Sequence, residues 1–261
     1  MFRVIMNTRT KNKNNGDKDM NRHAIILAGG KGTRMHTDLP KCAYPFLGKP
    51  MVSYIIDSCK KAATDEIIVV VGYKREDIIK CLPQDVKYAI QEEQLGTGHA
   101  VMCAKDTLSK LDGVCLIFPG DMPLIDSETI EELVKEHQNK KNDLTVVTTV
   151  LDDALKYGRI YRENGHIKKI VEFKDCTPEQ LEIKEINSGL FFVDTKLLFE
   201  AFNKVENHNN QHEYYLTDIV EIIGRDHQVD SYVIKDGFRL TGINDLDALK
   251  EAEEIYLNSK K

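Results

Sequence analysis

Residues 24–35 read AIILAGGKGTRM, an apolar run that leads directly into a turn with three glycines, a lysine and an arginine. The run AIILA is typical of a buried strand of a parallel sheet, and glycines let the backbone pass close to a ligand. In an open α/β sheet, ligands bind beside the loops at the carboxyl ends of the strands. The stretch therefore favours an α/β fold with a phosphate-binding loop after its first strand. A tight surface turn with solvated charges is the alternative.

Neither familiar phosphate motif is present in this loop. A P-loop needs GxxxxGK[ST], which neither Gly30-Lys31-Gly32 nor Gly48-Lys49-Pro50 satisfies. A dinucleotide fingerprint needs GxGxxG, but Met35 stands at the third glycine position. Lys41 lies between Pro40 and Pro45, which stiffen the backbone, so its cation can be held at a low ordering cost. The loop is predicted to be a different kind of phosphate cradle.

Further apolar runs extend the predicted sheet. Strands are expected at 66–71, 114–118 and 144–150, with helices near 52–59, 74–82 and 98–110 and a further helix capped by the Ser127 hydroxyl. After residue 150, the segments YGRIY, HIKKIVEF and SGLFFV are separated by short polar turns, which predicts added antiparallel strands. Closing helices are expected at 194–204, 214–224 and 245–257. The fold class is α/β, with a mostly parallel sheet covered on both faces.

Composition limits the classes of function. The chain has 261 residues, 41% hydrophobic content and a formal net charge of -6, so no basic field is available to bind nucleic acid. No apolar run approaches the roughly 20 residues of a membrane helix, so no membrane association is expected. Six widely spaced cysteines without a metal-binding pattern suggest reduced thiols and a cytoplasmic location.

The organisation along the chain is predicted to be simple. One domain is expected over residues 23–258, preceded by a disordered extension over residues 1–22. A mitochondrial-type presequence and a true translation start at Met20 are the alternatives for that extension.

A series of motifs runs in order along the chain: LAGGKGTRM, DLPKCAYPFLGKPM, QEEQLGTGHAV, FPGDMPLI, YGRI, IVEFKD, EINSGLFF, EYYLTDI and RLTGIND. With these motifs the sequence resembles, from about residue 23 to 250, the uridylyltransferase domain of bacterial N-acetylglucosamine-1-phosphate uridylyltransferases. These belong to the sugar nucleotidyltransferase family. The resemblance implies a Rossmann-like sheet of the nucleotide-diphospho-sugar transferase type, with antiparallel strands added for the sugar site. It also implies transfer of UMP from UTP to N-acetylglucosamine-1-phosphate, a step in the supply of cell-envelope precursors.

The resemblance assigns roles to individual residues. Arg34 and Lys41 are the implied catalytic cations at the triphosphate. The implied nucleotide-binding residues are Leu27, Ala28, Gly29, Gly30, Gly32, Gln91, Gly96 and Thr97. The implied sugar-binding residues are Gly158, Glu172, Asn187 and Thr217. For Thr217, a helix cap or a strand-end hydroxyl is the alternative.

The resemblance implies a metal site at Asp121 and Asn244. A carboxylate and an amide oxygen suit Mg²⁺, which takes few protein ligands and several phosphate or water oxygens, and Mn²⁺ accepts similar ligands. Taken alone, Asp121 could instead cap a turn before Met122-Pro123, and Asn244 could cap the helix that follows it.

Some features depart from the family pattern. Pro119 stands where the family often has an aromatic residue, so the resemblance does not fix which sugar is the substrate. Asp245 adds charge beside the implied metal. No hexapeptide-repeat acetyltransferase domain is present in the sequence, so a separate acetyltransferase acting upstream is a candidate partner. The alternatives are a different sugar-1-phosphate, dTTP as the donor, or a non-catalytic nucleotide-sugar sensor.

Overall fold

The computed structural model describes residues 20–32, 35, 37–240 and 242–259. The strands are β1 Arg22–Leu27, β2 Pro45–Phe46, β3 Lys49–Pro50, β4 Glu66–Val71, β5 Lys87–Ile90, β6 Val114–Pro119, β7 Leu144–Val150, β8 Arg159–Glu163, β9 His166–Val171, β10 Glu185–Asp194 and β11 Val229–Val233. The helices are α1 Met51–Lys61, α2 Arg75–Cys81, α3 Thr97–Met102, α4 Lys105–Leu108, α5 Ser127–Asn139, α6 Pro178–Leu181, α7 Thr195–Ala201, α8 Asp218–Ile223 and α9 Leu246–Ser259.

The main sheet has the strand order β11-β7-β10-β6-β1-β4-β5. β1 pairs in parallel with both β4 and β6, and β11 pairs in parallel with β7. β10 is antiparallel to both of its neighbours, β6 and β7. The hairpin of β8 and β9 joins the sheet through a pairing of Arg159 with Ile186. The predicted α/β class, with a mostly parallel sheet and added antiparallel strands, is confirmed.

Both faces of the sheet are covered, as the continuous apolar strands predicted. In β1, Ala24 and Ile26 pack into one buried cluster with residues of α1, α2 and α5. Ile25 points to the opposite face and packs with residues of α3, α7 and α8. The alternation places all of these β1 side chains out of contact with water, because helices lie on either side.

A third, smaller cluster fixes α9 to the start of α1. Phe46, Met51, Ile243, Leu249 and Ala252 form it. The rings of Phe46, Tyr54 and Tyr256 meet edge to face with centroids 5.0, 5.5 and 5.6 Å apart. This packing anchors the segment before α9, which also contributes to the site described below.

Two predicted helix boundaries need correction, while the extension over residues 1–22 stays a prediction. Residues 1–19 of the expected extension lie outside the described residues, and β1 already begins at Arg22. The helix expected at 98–110 is two short helices, because the amide of Ala104 bonds to Val101 rather than one residue earlier, which tightens the turn. The helix expected at 214–224 begins at Asp218. Tyr214 is held outside it by two backbone hydrogen bonds, from its N–H to the Leu95 carbonyl and from the Gly98 N–H to its carbonyl.

The predicted cap of α5 was also wrong. The cap is Asp126, whose carboxylate accepts the Thr129 N–H at 2.9 Å, while Ser127 is the first residue of the helix. A carboxylate at this position satisfies a free amide and also faces the positive end of the helix dipole.

Among the described residues, no helix combines the length and the apolar character needed to cross a bilayer.

Candidate active site

A cavity of about 540 Å³ lies at the carboxyl ends of β1, β5 and β6, the edge of the sheet to which the sequence pointed. Its lining includes most of the predicted site residues: Leu27, Gly29, Gly30, Gly32, Lys41, Gln91, Gly96, Thr97, Asp121, Glu172, Asn187 and Thr217. An adjoining cavity of about 760 Å³ is lined by Asn244 and Asp245 and shares Pro119 and Asp121 with the first. Asp121 therefore stands between the two spaces.

Lys41, Asp121 and Asn244 meet at one point. The Lys41 ammonium donates to Asp121 Oδ2 in a close ion pair, and to Asn244 Oδ1 at 2.7 Å. The lysine lies on a short 3-10 turn, Lys41–Ala43, between the glycine loop and β2. The side chains of Lys41 and Asp121 are only 14% and 18% exposed, so solvent screens their attraction weakly.

Backbone contacts hold the segment at residues 242–244 against Asp121. The Ile243 amide donates to the Asp121 carbonyl at 3.0 Å, and the Asn244 side-chain amide donates to the Gly242 carbonyl at 2.8 Å. A Cβ atom on Gly242 would lie 2.7 Å from Asp121 Oδ2, so only glycine allows this approach. Asn244 Oδ1 is thereby aimed at the same cation as Asp121.

The alternatives for Asp121 and Asn244 were a cap of the turn at Met122 and a cap of α9, and the contacts of the two side chains match neither. The cap of α9 is Asp245, whose Oδ1 accepts the Ala248 N–H at 2.9 Å. Asp245 was expected to add charge beside the metal site, but this bond directs one of its oxygens to the helix. The carboxylate of Asp121 is engaged by Lys41 instead of capping the turn at Met122.

The donors of this group suit a divalent cation. Asp121 and Asn244 present one carboxylate and one amide oxygen, the hard ligands that Mg²⁺ and Mn²⁺ prefer, and a cationic nitrogen already marks where the two oxygens converge. In the described part of the chain, no cluster of three or more histidine, cysteine, aspartate or glutamate side chains could hold a metal ion.

On the nucleotide side, Gln91 supports the glycine loop. It is 5% exposed, and its side-chain amide donates to the Gly96 carbonyl at 3.1 Å. Its Oε1 faces the glycine loop, 2.8 Å from where a Cβ atom on Gly29 would stand. Gln91 thus joins the two glycine segments of the wall and itself lines the cavity.

Two predicted residues of the glycine loop are not placed in the wall. Ala28 does not line the cavity, because its side chain is buried and its N–H bonds to the Val70 carbonyl at 2.8 Å within the sheet. Arg34, predicted to be catalytic, lies outside the described residues.

Glu172, Asn187 and Thr217 also line the cavity. The Thr217 hydroxyl donates to Glu172 Oε1 at 3.0 Å, and burial raises the pKa of the Glu172 carboxyl above its usual range. Thr217 stands at the start of α8, but its side chain makes no capping bond. Asn187 Oδ1 accepts the Gly189 N–H at 3.0 Å.

Gly158 lies behind this wall rather than in it. Its carbonyl accepts the Asn187 N–H at 2.9 Å, and a Cβ atom on it would meet Ile170 at 3.0 Å and Glu172 at 3.5 Å. Gly158 therefore supports Asn187 and Glu172, and its backbone contact with a ligand stays a prediction.

Sequence reasoning missed a network behind Glu172. The Tyr215 hydroxyl donates to Asp175 Oδ2 at 2.9 Å and accepts from the Gln211 side chain at 2.8 Å. These residues lie inside or beside the quoted motifs IVEFKD and EYYLTDI, which is the signal that could have identified them. Gln94 of QEEQLGTGHAV also lines the cavity.

Comparisons with known proteins identify the family of this chain. A family model described as nucleotidyl transferase matches residues 23–259. The bifunctional protein GlmU of Acholeplasma laidlawii is 46% identical over 243 residues, which are 92% of this chain and 53% of that protein. The GlmU of Geobacillus thermodenitrificans is 46% identical over 236 residues, covering 90% of this chain and 51% of that protein. The chain thus spans about half the length of the curated relatives it matches.

Among solved structures, UDP-glucose pyrophosphorylase complexed with UDP-glucose superimposes with a TM-score of 0.73 at 18% identity, covering 92% of this chain and 100% of that chain. At that identity the likeness shows the fold alone. The family model and the relatives agree with the resemblance read from the motifs. This chain belongs to the nucleotidyl transferase family.

Proposed function

We propose that this protein transfers UMP from UTP to N-acetylglucosamine-1-phosphate, giving UDP-N-acetylglucosamine and pyrophosphate. A phosphate oxygen of the sugar-1-phosphate attacks the α-phosphorus of UTP. The bond from that phosphorus to the α–β bridging oxygen breaks, and pyrophosphate leaves with the electron pair. The relatives named bifunctional protein GlmU, at 46% identity, support this choice within the family.

One observation carries the proposal. A single cavity is lined by Gly29, Gly30, Gly32 and Lys41 and also by Glu172, Asn187 and Thr217, and Asp121 lines both this cavity and the adjoining one. A nucleoside triphosphate needs the first group, and a sugar with several hydroxyls needs the second. Their convergence suits joining the two substrates in line, since positioning and charge neutralisation supply most of the catalysis in phosphoryl-type transfer.

The cationic group would neutralise charge at the triphosphate. Lys41 can place its ammonium against phosphate oxygens from the glycine-loop side, and Arg34 of the same loop is proposed to act with it. Asp121 and Asn244 would hold a divalent ion, Mg²⁺ or Mn²⁺, which supplies positive charge at the reacting phosphate when bound. Gln91, with Gly96 and Thr97 beside it, is proposed to face the uracil base, because its side-chain oxygen can accept a hydrogen bond from the imide N–H.

The sugar side offers acceptors and donors of the right kind. Glu172 can accept from sugar hydroxyls, and Asn187 can serve a hydroxyl or the acetamido group. Pro119 lines both cavities without offering a donor, so the preference for this sugar depends on Glu172 and Asn187.

The proposal extends to the surroundings of the reaction. All six cysteines are free thiols, which supports a reducing compartment such as the cytoplasm. The proposed acceptor already carries its acetyl group, so our proposal includes an acetyltransferase acting upstream.

The test measures pyrophosphate release with Mg²⁺ and UTP, dTTP or CTP across N-acetylglucosamine-, N-acetylgalactosamine-, glucosamine- and glucose-1-phosphate. We expect the highest kcat/KM for UTP with N-acetylglucosamine-1-phosphate. A higher value with another pair would reassign the substrates and keep the chemistry. Binding of UTP without any release would support a nucleotide-sugar sensor instead.

A matched pair of variants links the activity to the site. Asp121→Asn removes the charge that follows β6, and Asp112→Asn removes the same charge from the exposed residue that precedes that strand. We expect Asp121→Asn to lose release and Asp112→Asn to keep it.

A further inference from the structure

The Lys41 ammonium occupies the position that the oxygen ligands Asp121 and Asn244 define. It donates to one oxygen of each, Asp121 Oδ2 and Asn244 Oδ1. A divalent ion held by the same two oxygens would stand within a few ångströms of the ammonium, and two cations at such a distance repel strongly in a site of low exposure. The lysine and the metal therefore cannot use these oxygens together.

The backbone of Lys41 has little freedom to move away. Gly32 packs against it so closely that a Cβ atom on Gly32 would lie 2.3 Å from Lys41 Cβ. The turn that carries Lys41 is closed by Ala43 N–H to the Pro40 carbonyl at 2.9 Å and by Tyr44 N–H to the Lys41 carbonyl at 3.1 Å. Any change at this position must come from the outer atoms of the lysine side chain, whose rotamers are the flexible part of the site.

The outer end of Lys41 has a second place to go. Lys41 lines the nucleotide cavity together with Gly29, Gly30 and Gly32, on the side where the glycine loop leaves room for phosphate. If the ammonium leaves Asp121 and Asn244, it can turn into this neighbouring part of the cavity. A triphosphate bound there would provide the negative charge that the ammonium needs.

We propose that Lys41 is the resident cation of the Asp121–Asn244 site, and that a divalent metal ion binds there by exchange with the ammonium, which then turns to the nucleotide side. The inference rests on the metal use in the proposed function. It adds a sequence of events to that function. Lys41 first holds Asp121 and Asn244 together and compensates the charge of the Asp121 carboxylate, and the metal ion then replaces the ammonium. Metal and triphosphate then favour each other's binding, because the triphosphate provides the anion that the displaced ammonium needs.

The first test titrates the full-length chain with Mn²⁺ alone, following free Mn²⁺ by electron paramagnetic resonance. Lys41→Met keeps the length of the side chain and removes the competing charge, so Mn²⁺ should bind at least about tenfold more tightly than to the wild type. Lys31→Met removes the same charge from the exposed neighbour in the glycine loop, whose ammonium lies 5.8 Å from the ring centroid of Tyr73. This control should keep the wild-type affinity. Equal or weaker binding to Lys41→Met would overturn the exchange, as would an equal gain in the control.

The second test uses the wild-type chain and does not depend on the folding of a variant. An amine-acylating reagent is applied with and without Mn²⁺, and labelling of Lys41 relative to Lys31 is read by peptide mass spectrometry. Exchange predicts a severalfold faster labelling of Lys41 when Mn²⁺ is present, since the ammonium leaves its carboxylate. Labelling that stays constant or slows with Mn²⁺ would overturn it.

Neither test contains a nucleotide or a sugar. A different sugar preference in the pyrophosphate assay would therefore leave both results unchanged. Conversely, normal pyrophosphate release by the wild type, combined with a Mn²⁺ affinity of Lys41→Met equal to that of the wild type, would reject the exchange and retain the proposed function.

Discussion

Glu172 shows how much one side chain in this site depends on its surroundings. The carboxylate accepts the Thr217 hydroxyl, and burial together with the negative charges of Asp175 and Glu213 raises its pKa. A ligand that donates hydrogen bonds to this carboxylate stabilises its ionised form. A polyhydroxylated ligand at this wall would supply those donors.

Replacing this carboxylate tests its role as a sugar acceptor. Glu172→Gln keeps the shape but removes the charge that strengthens the hydrogen bonds, so we expect the KM for the sugar-1-phosphate to rise about tenfold. The KM for UTP should stay near the wild-type value. Steady-state rates with both substrates varied give the two constants.

The matched control is Glu163→Gln, the same change at the exposed end of β8. It should leave both constants unaltered. A rise in the KM for UTP of equal size in Glu172→Gln would place Glu172 outside the sugar side.

The position of a single residue was predictable where a sequence motif contains it. It was not predictable where the position depends on a contact with a residue far away in the chain. Lys41 and Asp121 were placed at the site by the loop and by the end of an apolar strand. Their meeting with Asn244 was not, because the bond between Lys41 and Asn244 joins positions 203 residues apart. Gly158 was assigned to ligand contact, but only the packed structure shows Glu172 and Asn187 in front of it.

At the scale of one element, the start of α5 offers a direct comparison of two caps. Asp126→Ala removes the carboxylate that accepts the Thr129 N–H and faces the helix dipole, so we expect a loss of about 1 kcal/mol in the free energy of unfolding. Ser127→Ala, at the residue that the sequence favoured as the cap, should change it by less than about 0.5 kcal/mol. Urea unfolding followed by circular dichroism measures both.

The reverse order of the two effects would restore Ser127 as the cap. The catalytic constants of both variants should match the wild type, because α5 begins away from the cavity lined by Lys41 and Glu172.

The strands were more predictable than the helix boundaries. The apolar runs at 66–71, 114–118 and 144–150 match β4, β6 and β7 closely, because burial on both faces leaves few other arrangements for such sequences. Helix ends depend on single backbone bonds. The bond from Gly98 N–H to the Tyr214 carbonyl delays α8, and no periodicity in the sequence reveals it.

At the scale of the whole molecule, His137 couples stability to acid. It is 4% exposed on α5, bonds through Nδ1 to the Thr145 hydroxyl of β7 at 2.9 Å, and burial lowers its pKa from 6.5 to about 4. The unfolded chain takes up a proton on this residue at a higher pH than the folded chain. The free energy of unfolding should therefore fall as the pH drops from 6.5 to 4, by at most about 3 kcal/mol from this residue.

His137→Gln keeps a hydrogen-bonding group toward Thr145 and removes the titration. We expect a smaller loss of stability than in the wild type over that pH range, measured by urea unfolding at several pH values. Asp218 acts in the opposite direction. Burial first, and nearby carboxylates second, raise its pKa to about 6, so the cost of keeping its carboxylate ionised in the folded chain disappears as the pH falls. An exposed control, His166→Gln, should keep the wild-type slope. A wild-type slope in His137→Gln would exclude the residue as the cause.

The mixed sheet was predictable in class but not in strand order. Nothing in the sequence of SGLFFV states that β10 lies between β6 and β7, because that placement follows from pairings made across the whole chain.

The position of β10 has a consequence for the synthesis of the protein. Among the strands of the described residues, β7 pairs only with β10 and β11, both of which follow it in the chain, and one edge of β6 is covered only by β10. While residues up to 184 leave the ribosome, β6 has one unpaired edge and β7 has two. Unpaired edges favour pairing with other chains. The emergence of β10 therefore covers the open edge of β6 and one edge of β7, and the second edge of β7 stays open until β11 follows.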